Sequence, residues 1–367
     1  MEKQKINARI VADSKNSKGN RITTFVLTYP RFIHAEVMTH RVFSRNAASS
    51  RAIPYKKMVE MVENDPFIPI AFQKKHSGMQ GIEYITVPET VKFLKDTWID
   101  ASHLALNQAD CLDTVGCTKQ ITNRLLEPFL WYTNLVTVTE IEGFYELRCP
   151  KFINEHEEGE DISFSRKDFI KKLQERYPIN WKLELKDFYG IENNTNEEWF
   201  SLSESGAEIH IQALAEAMWD AQNESIPNQL QPGEWHMPFM GNFDPKKLLE
   251  LSGQEPEDFE LVCRKIATAR AARLSYLTFD GEIDYEKDIA LHDTLLASGH
   301  MSPFEHCARA MTKNEYSSFI KGKSIDEDES GLSIGIQCFD NEARGWCNNF
   351  RGFIPYRYLI EHGKKNK

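Results

Sequence analysis

Residues 40–51 form the segment His40-Arg41-Val42-Phe43-Ser44-Arg45-Asn46-Ala47-Ala48-Ser49-Ser50-Arg51. It contains three arginines, one histidine, three serines and one asparagine, and it contains no carboxylate. Because nothing within the segment balances its positive charge, an external anion such as a phosphate is a natural partner for the arginines. The small alanine and serine residues allow backbone N–H groups to approach such an anion closely. The composition therefore indicates an anion-binding segment, although a solvated turn has the same composition.

The residues that precede this segment predict its structural setting. Residues 22–28 are β-branched and aromatic, which predicts a strand that ends before Pro30. Apolar residues then recur at helical spacing over residues 32–38. The sequence therefore predicts a short helix that ends beside His40 and Arg41.

The segment resembles the signature of the flavin-dependent thymidylate synthases, His-Arg-x-x-Ser-x-Asn-x-x-Ser-x-Arg. Six polar positions match it at the same spacing, namely His40, Arg41, Ser44, Asn46, Ser49 and Arg51. Three positions depart from the family pattern, since Thr39 replaces an arginine, Ala47 replaces a glutamate and Ala52 replaces a tyrosine. The resemblance implies an α/β (α+β) fold like that of thymidylate synthase-complementing proteins, with a mixed sheet flanked by helices.

Other segments are also similar to parts of this family. Residues 271–275 (Ala-Ala-Arg-Leu-Ser) and 299–306 (Gly-His-Met-Ser-Pro-Phe-Glu-His) resemble segments that the family carries in its N-terminal half, at the flavin site. Here they follow the His-Arg segment, so the resemblance implies a permuted segment order, as in phage-type relatives. Residues 123–128 (Asn-Arg-Leu-Leu-Glu-Pro) and 144–148 (Phe-Tyr-Glu-Leu-Arg) resemble segments with a phosphate-binding and a pyrimidine-aligning arginine.

The resemblance implies a role for each matched residue. Arg148 is implied to be catalytic, because it would align the pyrimidine and stabilise negative charge developing on it. The implied substrate-binding residues are Glu36, Ala48, Ser49, Ser50, Arg51, Arg124 and Arg148. The implied cofactor-binding residues are His40, Arg41, Ser44, Asn46, Ser275, His300, Ser302 and Glu305.

The resemblance also implies an activity, which is the reductive methylation of dUMP to dTMP. It implies FAD as the cofactor, NADPH and 5,10-methylenetetrahydrofolate as co-substrates, and a homotetramer. Two alternatives remain open because of the replacements at Thr39 and Ala47. In one, water intercepts a methylene-level intermediate and the product is a hydroxymethyl pyrimidine nucleotide. In the other, the protein binds flavin or nucleotide without turnover.

Composition excludes several classes of protein. With 41% apolar and 27% charged residues, the chain has the balance of a soluble globular protein, and no run reaches the roughly 20 apolar residues of a membrane span. The net charge of −11 argues against a broad nucleic-acid-binding surface. Seven scattered cysteines without a Cys-x-x-Cys pair, and a charged N-terminus without an apolar leader, predict reduced thiols and a cytoplasmic location.

Several familiar motifs are absent. No His-Glu-x-x-His sequence occurs, and the His-x5-His spacing of His300 and His306 does not suit one helical face, so we expect no metal site. No Gly-x-Gly-x-x-Gly follows a predicted strand, which excludes a Rossmann site. Cys149 is the one cysteine next to a cation, Arg148, and we interpret it as a bystander rather than a nucleophile.

The chain divides into four predicted parts. Residues 1–150 form the nucleotide- and flavin-binding half, 151–205 an acidic insert, 206–240 a core helix and linker, and 241–367 the permuted flavin-site half. The insert is recognised by its charge, because residues 151–204 contain 13 acidic and 8 basic residues. Its function cannot be predicted from the sequence.

Further local predictions follow from spacing. A strand is expected over residues 130–138, followed by a helix with a capping box at Thr139 and Glu142. Prolines mark a linker over 227–238, and the aromatic and basic residues 349–357 suggest a helix near the site. Amphipathic or apolar runs predict further helices near 91–115, 168–176, 207–223, 262–272 and 288–297.

Overall fold

A computed structural model of the chain describes residues 3–78, 81, 83–154, 161–241, 244–252, 256–274, 284–320 and 343–363. The strands within these ranges are β1 (Asn7–Asn16), β2 (Arg21–Pro30), β3 (Ser44–Ala47), β4 (Trp131–Val138), β5 (Phe152–Ile153), β6 (Ile162–Ser163), β7 (Asn228–Leu230), β8 (Trp235–His236), β9 (Ala308–Ala310), β10 (Trp346–Cys347), β11 (Phe350–Arg351) and β12 (Phe353–Pro355).

The helices of the described residues differ widely in length. They are α1 (His34–Met38), α2 (Tyr55–Asn64), α3 (Pro88–Thr114), α4 (Lys119–Thr122), α5 (Glu142–Arg148), α6 (Arg166–Arg176), α7 (Trp181–Asp187), α8 (Asn196–Leu202), α9 (Ile209–Glu224), α10 (Pro245–Leu251), α11 (Pro256–Leu274), α12 (Tyr285–Ser298), α13 (Lys313–Ser318) and α14 (Tyr356–Gly363). None of them is both long enough and apolar enough to cross a bilayer.

A five-stranded mixed sheet forms the centre of the fold, in the order β3-β4-β2-β1-β7. The first four strands pair antiparallel, and β7 pairs parallel with β1. The predicted strand over residues 22–28 lies within β2, at the middle of this sheet. The mixed sheet with flanking helices confirms the predicted α+β class at the level of architecture.

Both faces of this sheet are covered, which explains why β2 is buried at most of its positions. Successive residues of a strand point to opposite faces. Phe25 lies in one apolar cluster with Leu214 of α9, and the next residue, Val26, lies in another cluster with Ala271 of α11. A strand packed between two layers needs apolar residues on both sides, so its sequence does not alternate between apolar and polar residues.

The residues that lead into the His40–Arg51 segment form a short helix, as predicted. A 3-10 turn at Arg31–Ile33 continues into α1, which ends at Met38, and His40 and Arg41 follow directly. Ile33 and Val37 are completely buried against the sheet. The chain then returns to the sheet as the edge strand β3.

Three predictions of local structure are wrong. Thr139 does not cap α5, because its Oγ1 accepts the backbone N–H of Arg351 at 2.9 Å instead. The predicted linker over 227–238 contains β7 and β8, which pair with β1 and β9. The predicted helix over 349–357 consists mostly of β11 and β12, and α14 begins only at Tyr356. Each error comes from a tertiary partner that local sequence does not show.

The acidic insert has an apolar core of its own. The insert contains β5, β6, α6, α7 and α8, and the side chains of Phe152, Leu173 and Trp199 are buried among these elements. The insert is attached to α9 by the backbone N–H of Arg166, which donates to Glu216 Oε1 at 2.7 Å. The helix expected over 168–176 is part of α6.

A buried chain of hydrogen bonds connects the sheet to the C-terminal third of the protein. His306 Nδ1 lies 2.8 Å from Thr137 Oγ1, which lies 2.7 Å from Thr24 Oγ1. Thr24 Oγ1 lies 2.8 Å from His236 Nε2, and His236 Nδ1 lies 2.9 Å from Ser14 Oγ. All five residues are buried. We call this set the Ser14–His306 chain.

We expect acid to destabilise the fold through the two histidines of the Ser14–His306 chain. Burial lowers the pKa of His236 to about 4, and burial together with the neighbouring His236 lowers the pKa of His306 to about 3. The unfolded chain therefore binds these protons first, so stability is lost as pH falls below about 6.5. The loss is on the order of 3 kcal/mol for each histidine by pH 4.

Urea denaturation between pH 7 and pH 4 measures this effect. His306→Asn is expected to lower stability at pH 7 and to reduce the slope of stability against pH. His362→Asn, at an exposed histidine of α14, is the control and should leave the slope unchanged. Equal slopes in the wild type and His306→Asn would contradict the expectation.

Candidate functional site

The edge strand β3 is fixed to the C-terminal third of the chain by two side chains. Asn46 is buried, and its Nδ2 donates to the backbone oxygen of Ala271 in α11 at 2.7 Å. Ser302 Oγ donates to the backbone oxygen of Arg45 at 3.2 Å. The His40–Arg51 segment and the segment 299–306 are therefore in direct contact, although Arg45 and Ser302 are 257 residues apart.

A 3-10 helix at Ser302–Glu305 presents the second segment to β3. Gly299 ends α12 with a φ of 73°, a left-handed conformation that glycine adopts without strain. Phe304 is fully buried, and Glu305 pairs with Arg357 of α14 at 2.6 Å. Ser302, at the start of the same turn, faces the strand and bonds to Arg45.

A cavity of about 470 Å³ lies where the two segments meet. Its volume is within the range of small-molecule sites, which is about 300 to 1,000 Å³. The residues that line it are Arg45, Asn46, Ala47, Ser49, Arg51, Ala52, Gln120, His300 and Ser302.

The electrostatics of this cavity favour an anion. Arg45 and Arg51 contribute two guanidinium groups, and none of the described lining residues is acidic. Burial lowers the pKa of Arg45, an effect that Tyr29 and Glu305 oppose, but an arginine side chain stays charged in proteins. The arrangement can therefore hold a phosphate or a similar group by charge-assisted hydrogen bonds.

A larger cavity, of about 850 Å³, lies between the insert, α9 and the N-terminal residues. Trp131, Arg166 and Glu216 are among its lining residues. Its walls contain four Lys or Arg and four Asp or Glu side chains, so positive and negative charges balance there. Of these two cavities, only the smaller one has a lining with more positive than negative side chains, and it also contains residues of the sequence signature.

No known protein-family model matches the sequence, and no curated protein matches it. Among solved structures, similarity was found to the UMP/dUMP methylase PolB from Streptomyces cacaoi bound with 5-Br UMP. The TM-score is 0.35 at 14% identity, over 56% of this chain and 69% of that chain. The structure of PolB bound with 5-Br dUMP gives a TM-score of 0.34 at 12% identity, over 50% of this chain and 95% of that chain. Similarity at this level does not assign a family, and the site is interpreted from its own geometry.

Five of the predicted site residues line the cavity of about 470 Å³. They come from both segments and are Asn46, Ser49, Arg51, His300 and Ser302. Three of them were assigned to the cofactor, and Ser49 and Arg51 to the substrate. The structure thus brings these five together, while their individual roles stay predictions.

Of the other predicted cofactor residues, those that the structure describes do not line this cavity. The His40 ring packs against Phe43 at 4.4 Å between ring centres, and burial lowers its pKa. Arg41 is exposed, and Ser44 is buried with its Oγ 3.4 Å from Asn349 Nδ2. Glu305 forms the ion pair with Arg357 of α14 that is described above. Ser275 lies outside the described residues.

The predicted substrate residues that do not line the cavity form two groups, and Ala48 lies apart from both. Ser50 and Arg124 lie beside the carboxylate of Glu127. Arg148 lies at the end of α5 and donates from one NH2 group to Thr39 Oγ1 at 3.3 Å. Thr39 Oγ1 in turn donates to the backbone oxygen of Glu36 at 2.6 Å. Ala48 is buried in an apolar cluster.

Four lining residues were not among the predicted site residues, namely Arg45, Ala47, Ala52 and Gln120, and two of these, Arg45 and Gln120, are polar. Arg45 stands at an unspecified position of the signature, and the lack of acidic residues in the segment around it is the signal that could have identified it. Gln120 lies in α4, some 70 residues beyond the signature, and no local pattern points to it.

The interpretation of Cys149 as a bystander agrees with its surroundings. The side chain is completely buried, and burial raises the pKa of its thiol well above the ordinary value. A thiol in that state forms little thiolate, which is the nucleophilic form. No cysteine is found among the described residues that line the cavity.

We expect Asn46→Ala to destabilise the protein by about 1 to 3 kcal/mol, because it removes a buried hydrogen bond to a backbone carbonyl. The free energy of unfolding in urea measures the loss. Asn7→Ala, at an exposed position of β1, is the matched control and should change stability by less than about 0.5 kcal/mol. Equal effects of the two substitutions would show that the contact between β3 and α11 contributes little.

Proposed function

We propose that the protein is a flavin-dependent enzyme that methylates dUMP to dTMP in the manner of the thymidylate synthases it resembles. The observation that carries the proposal is the meeting of the two signature segments around one cationic cavity. Segments that match by chance would have no reason to be hydrogen-bonded to each other through Arg45 and Ser302. The lack of acidic side chains among the described lining residues supports an anionic ligand there.

The donor set of the cavity suits FAD, which carries a diphosphate and a flavin ring with polar edges. Arg45 would hold phosphate oxygens, and His300 and Ser302 would hold the polar ring edge. When bound, reduced flavin supplies the hydride for reduction of the one-carbon unit. NADPH would be the reductant, and 5,10-methylenetetrahydrofolate would supply the one-carbon unit.

The residues of the chain would position the nucleotide substrate. Arg51 and Ser49 would hold the phosphate of dUMP, since a guanidinium and a hydroxyl are both strong donors to a dianion. Arg148 would align the pyrimidine and stabilise negative charge developing on the ring. Orienting two ring systems in this way lowers the entropic cost of the reaction.

The placement of Arg148 and Glu36 supports a shared site. Both lie near Thr39 and outside the cavity that Arg51 lines in the same chain. In the proposed assembly, a second copy of the chain would bring its Arg148 and Glu36 to this cavity. The proposed function therefore includes a homo-oligomer, for which the resemblance implies a tetramer.

Incubation with dUMP, methylenetetrahydrofolate, FAD and NADPH tests the activity directly. We expect a yellow protein with flavin absorption and a product whose mass corresponds to dTMP. A product heavier than dTMP by one oxygen atom would instead show the hydroxymethyl alternative. Bound flavin without any product would favour a binding protein.

We expect Arg51→Ala to weaken dUMP binding by about 10- to 100-fold, because a charge-assisted hydrogen bond to a phosphate is lost. Isothermal titration calorimetry measures the dissociation constant. Arg9→Ala, at an exposed position of β1, removes the same charge as a control. Unchanged affinity in Arg51→Ala would remove this residue from the site.

A further inference from the structure

The carboxylate of Glu127 is surrounded by a hydroxyl and two guanidinium groups, which are groups that commonly bind anions. Ser50 Oγ donates to Glu127 Oε1 at 2.6 Å. A terminal guanidinium nitrogen of Arg31 lies 3.6 Å from Oε2, and one of Arg124 lies 3.9 Å from Oε1. One hydroxyl and two arginines thus converge on a single carboxylate. We call these residues the Glu127 cluster.

The Glu127 cluster is held in place by its neighbours. Asn123 is buried, and its Nδ2 donates to the backbone oxygens of Ser50 at 2.7 Å and Ile53 at 3.0 Å. The guanidinium of Arg31 lies over the ring of Tyr132, with 4.7 Å to the ring centre. The turn that carries Ser50 and the side chain of Arg31 are therefore preorganised.

The Glu127 cluster is linked to the cavity through Ser50, and it is partly exposed to solvent. Ser49 and Arg51, the two neighbours of Ser50 in the sequence, line the cavity. The Arg124 side chain is 56% exposed, whereas that of Glu127 is 19% exposed. An anion that binds at Ser49 and Arg51 would therefore contact the two residues that flank Ser50, the hydrogen-bond donor to Glu127. The exposed side chain of Arg124 is held to Glu127 only by a contact of 3.9 Å.

We propose that Glu127 is a built-in counter-ion that weakens the binding of phosphate and selects against nucleotides with more than one phosphate group. The proposal rests on the proposed function, in which Arg51, Ser49 and Arg124 hold the phosphate of the nucleotide. A fixed negative charge lowers the local positive potential, and its effect on an anion grows with the charge of that anion. The penalty is therefore smallest for a monophosphate and larger for a triphosphate.

Glu127→Gln tests the proposal, because glutamine keeps an acceptor for Ser50 and removes the charge. We expect deoxyuridine to bind the variant and the wild type equally. We expect dUMP to bind the variant about fivefold more tightly, the size of one charge interaction across a partly solvated gap. The gain should be larger for dUTP. Calorimetric titration of the three ligands at one salt concentration measures the three ratios.

Two controls separate the charge effect from other changes. Glu175→Gln removes an equal charge from an exposed ion pair with Lys171 on the insert, and it should leave all three affinities unchanged. Arg124→Ala combined with Glu127→Gln should lose part of the gain for dUMP, because Arg124 is then absent. If Glu127→Gln does not fold, Glu127→Leu removes the charge with a similar side-chain volume and should show the same dependence on ligand charge.

The results distinguish this inference from the function on which it rests. The inference is overturned if a folded Glu127 variant binds dUMP no more tightly than the wild type. It is also overturned if the affinity for deoxyuridine and the affinity for dUMP rise by the same factor. In both cases the proposed function stands. If the wild type binds neither dUMP nor dUTP at millimolar concentration, both are overturned. A gain that rises from deoxyuridine to dUMP to dUTP supports the inference.

Discussion

The contact between the edge strand β3 and the C-terminal third of the chain is the constraint on which the site depends. β3 pairs with β4 on one side only, so its other edge would face solvent without further partners. The hydrogen bonds of Asn46 to α11 and of Ser302 to Arg45 occupy this region instead. The Ser14–His306 chain reinforces the same junction from inside the fold.

Charge then determines what the junction can hold. The protein as a whole is acidic, with a net charge of −11, yet the cavity at the junction has two arginines and no acidic lining residue among those described. A small anion is drawn to such a place, while the rest of the surface repels long polyanions. Glu127 stands at the margin of this positive region and moderates it. The strength of the site is therefore a balance between charges of both signs.

The sequence predicts the parts of this protein that depend on local patterns. The β-branched and aromatic residues 22–28 predicted the strand that the structure shows as part of β2. The lack of carboxylates between His40 and Arg51 predicted the sign of the charge in the cavity.

The parts that the sequence does not predict depend on distant partners. Thr139 has the spacing of a helix cap, but its hydroxyl oxygen accepts a hydrogen bond from the backbone N–H of Arg351, which lies 212 residues away. Gln120 and Glu127 reach the site region only because the chain returns there after α3. The position of Arg148 outside the cavity also follows from the tertiary fold alone, since residue spacing cannot show which side of the sheet a helix end faces.

Hydrogen–deuterium exchange with and without FAD and dUMP tests most directly whether the two segments form one site. The peptides that cover residues 44–52 and 300–306 report on the two sides of the cavity. We expect ligand to slow exchange in both peptides together, with the same dependence on ligand concentration. Protection of only one peptide, or different concentration dependences for the two peptides, would contradict a single site formed by both segments.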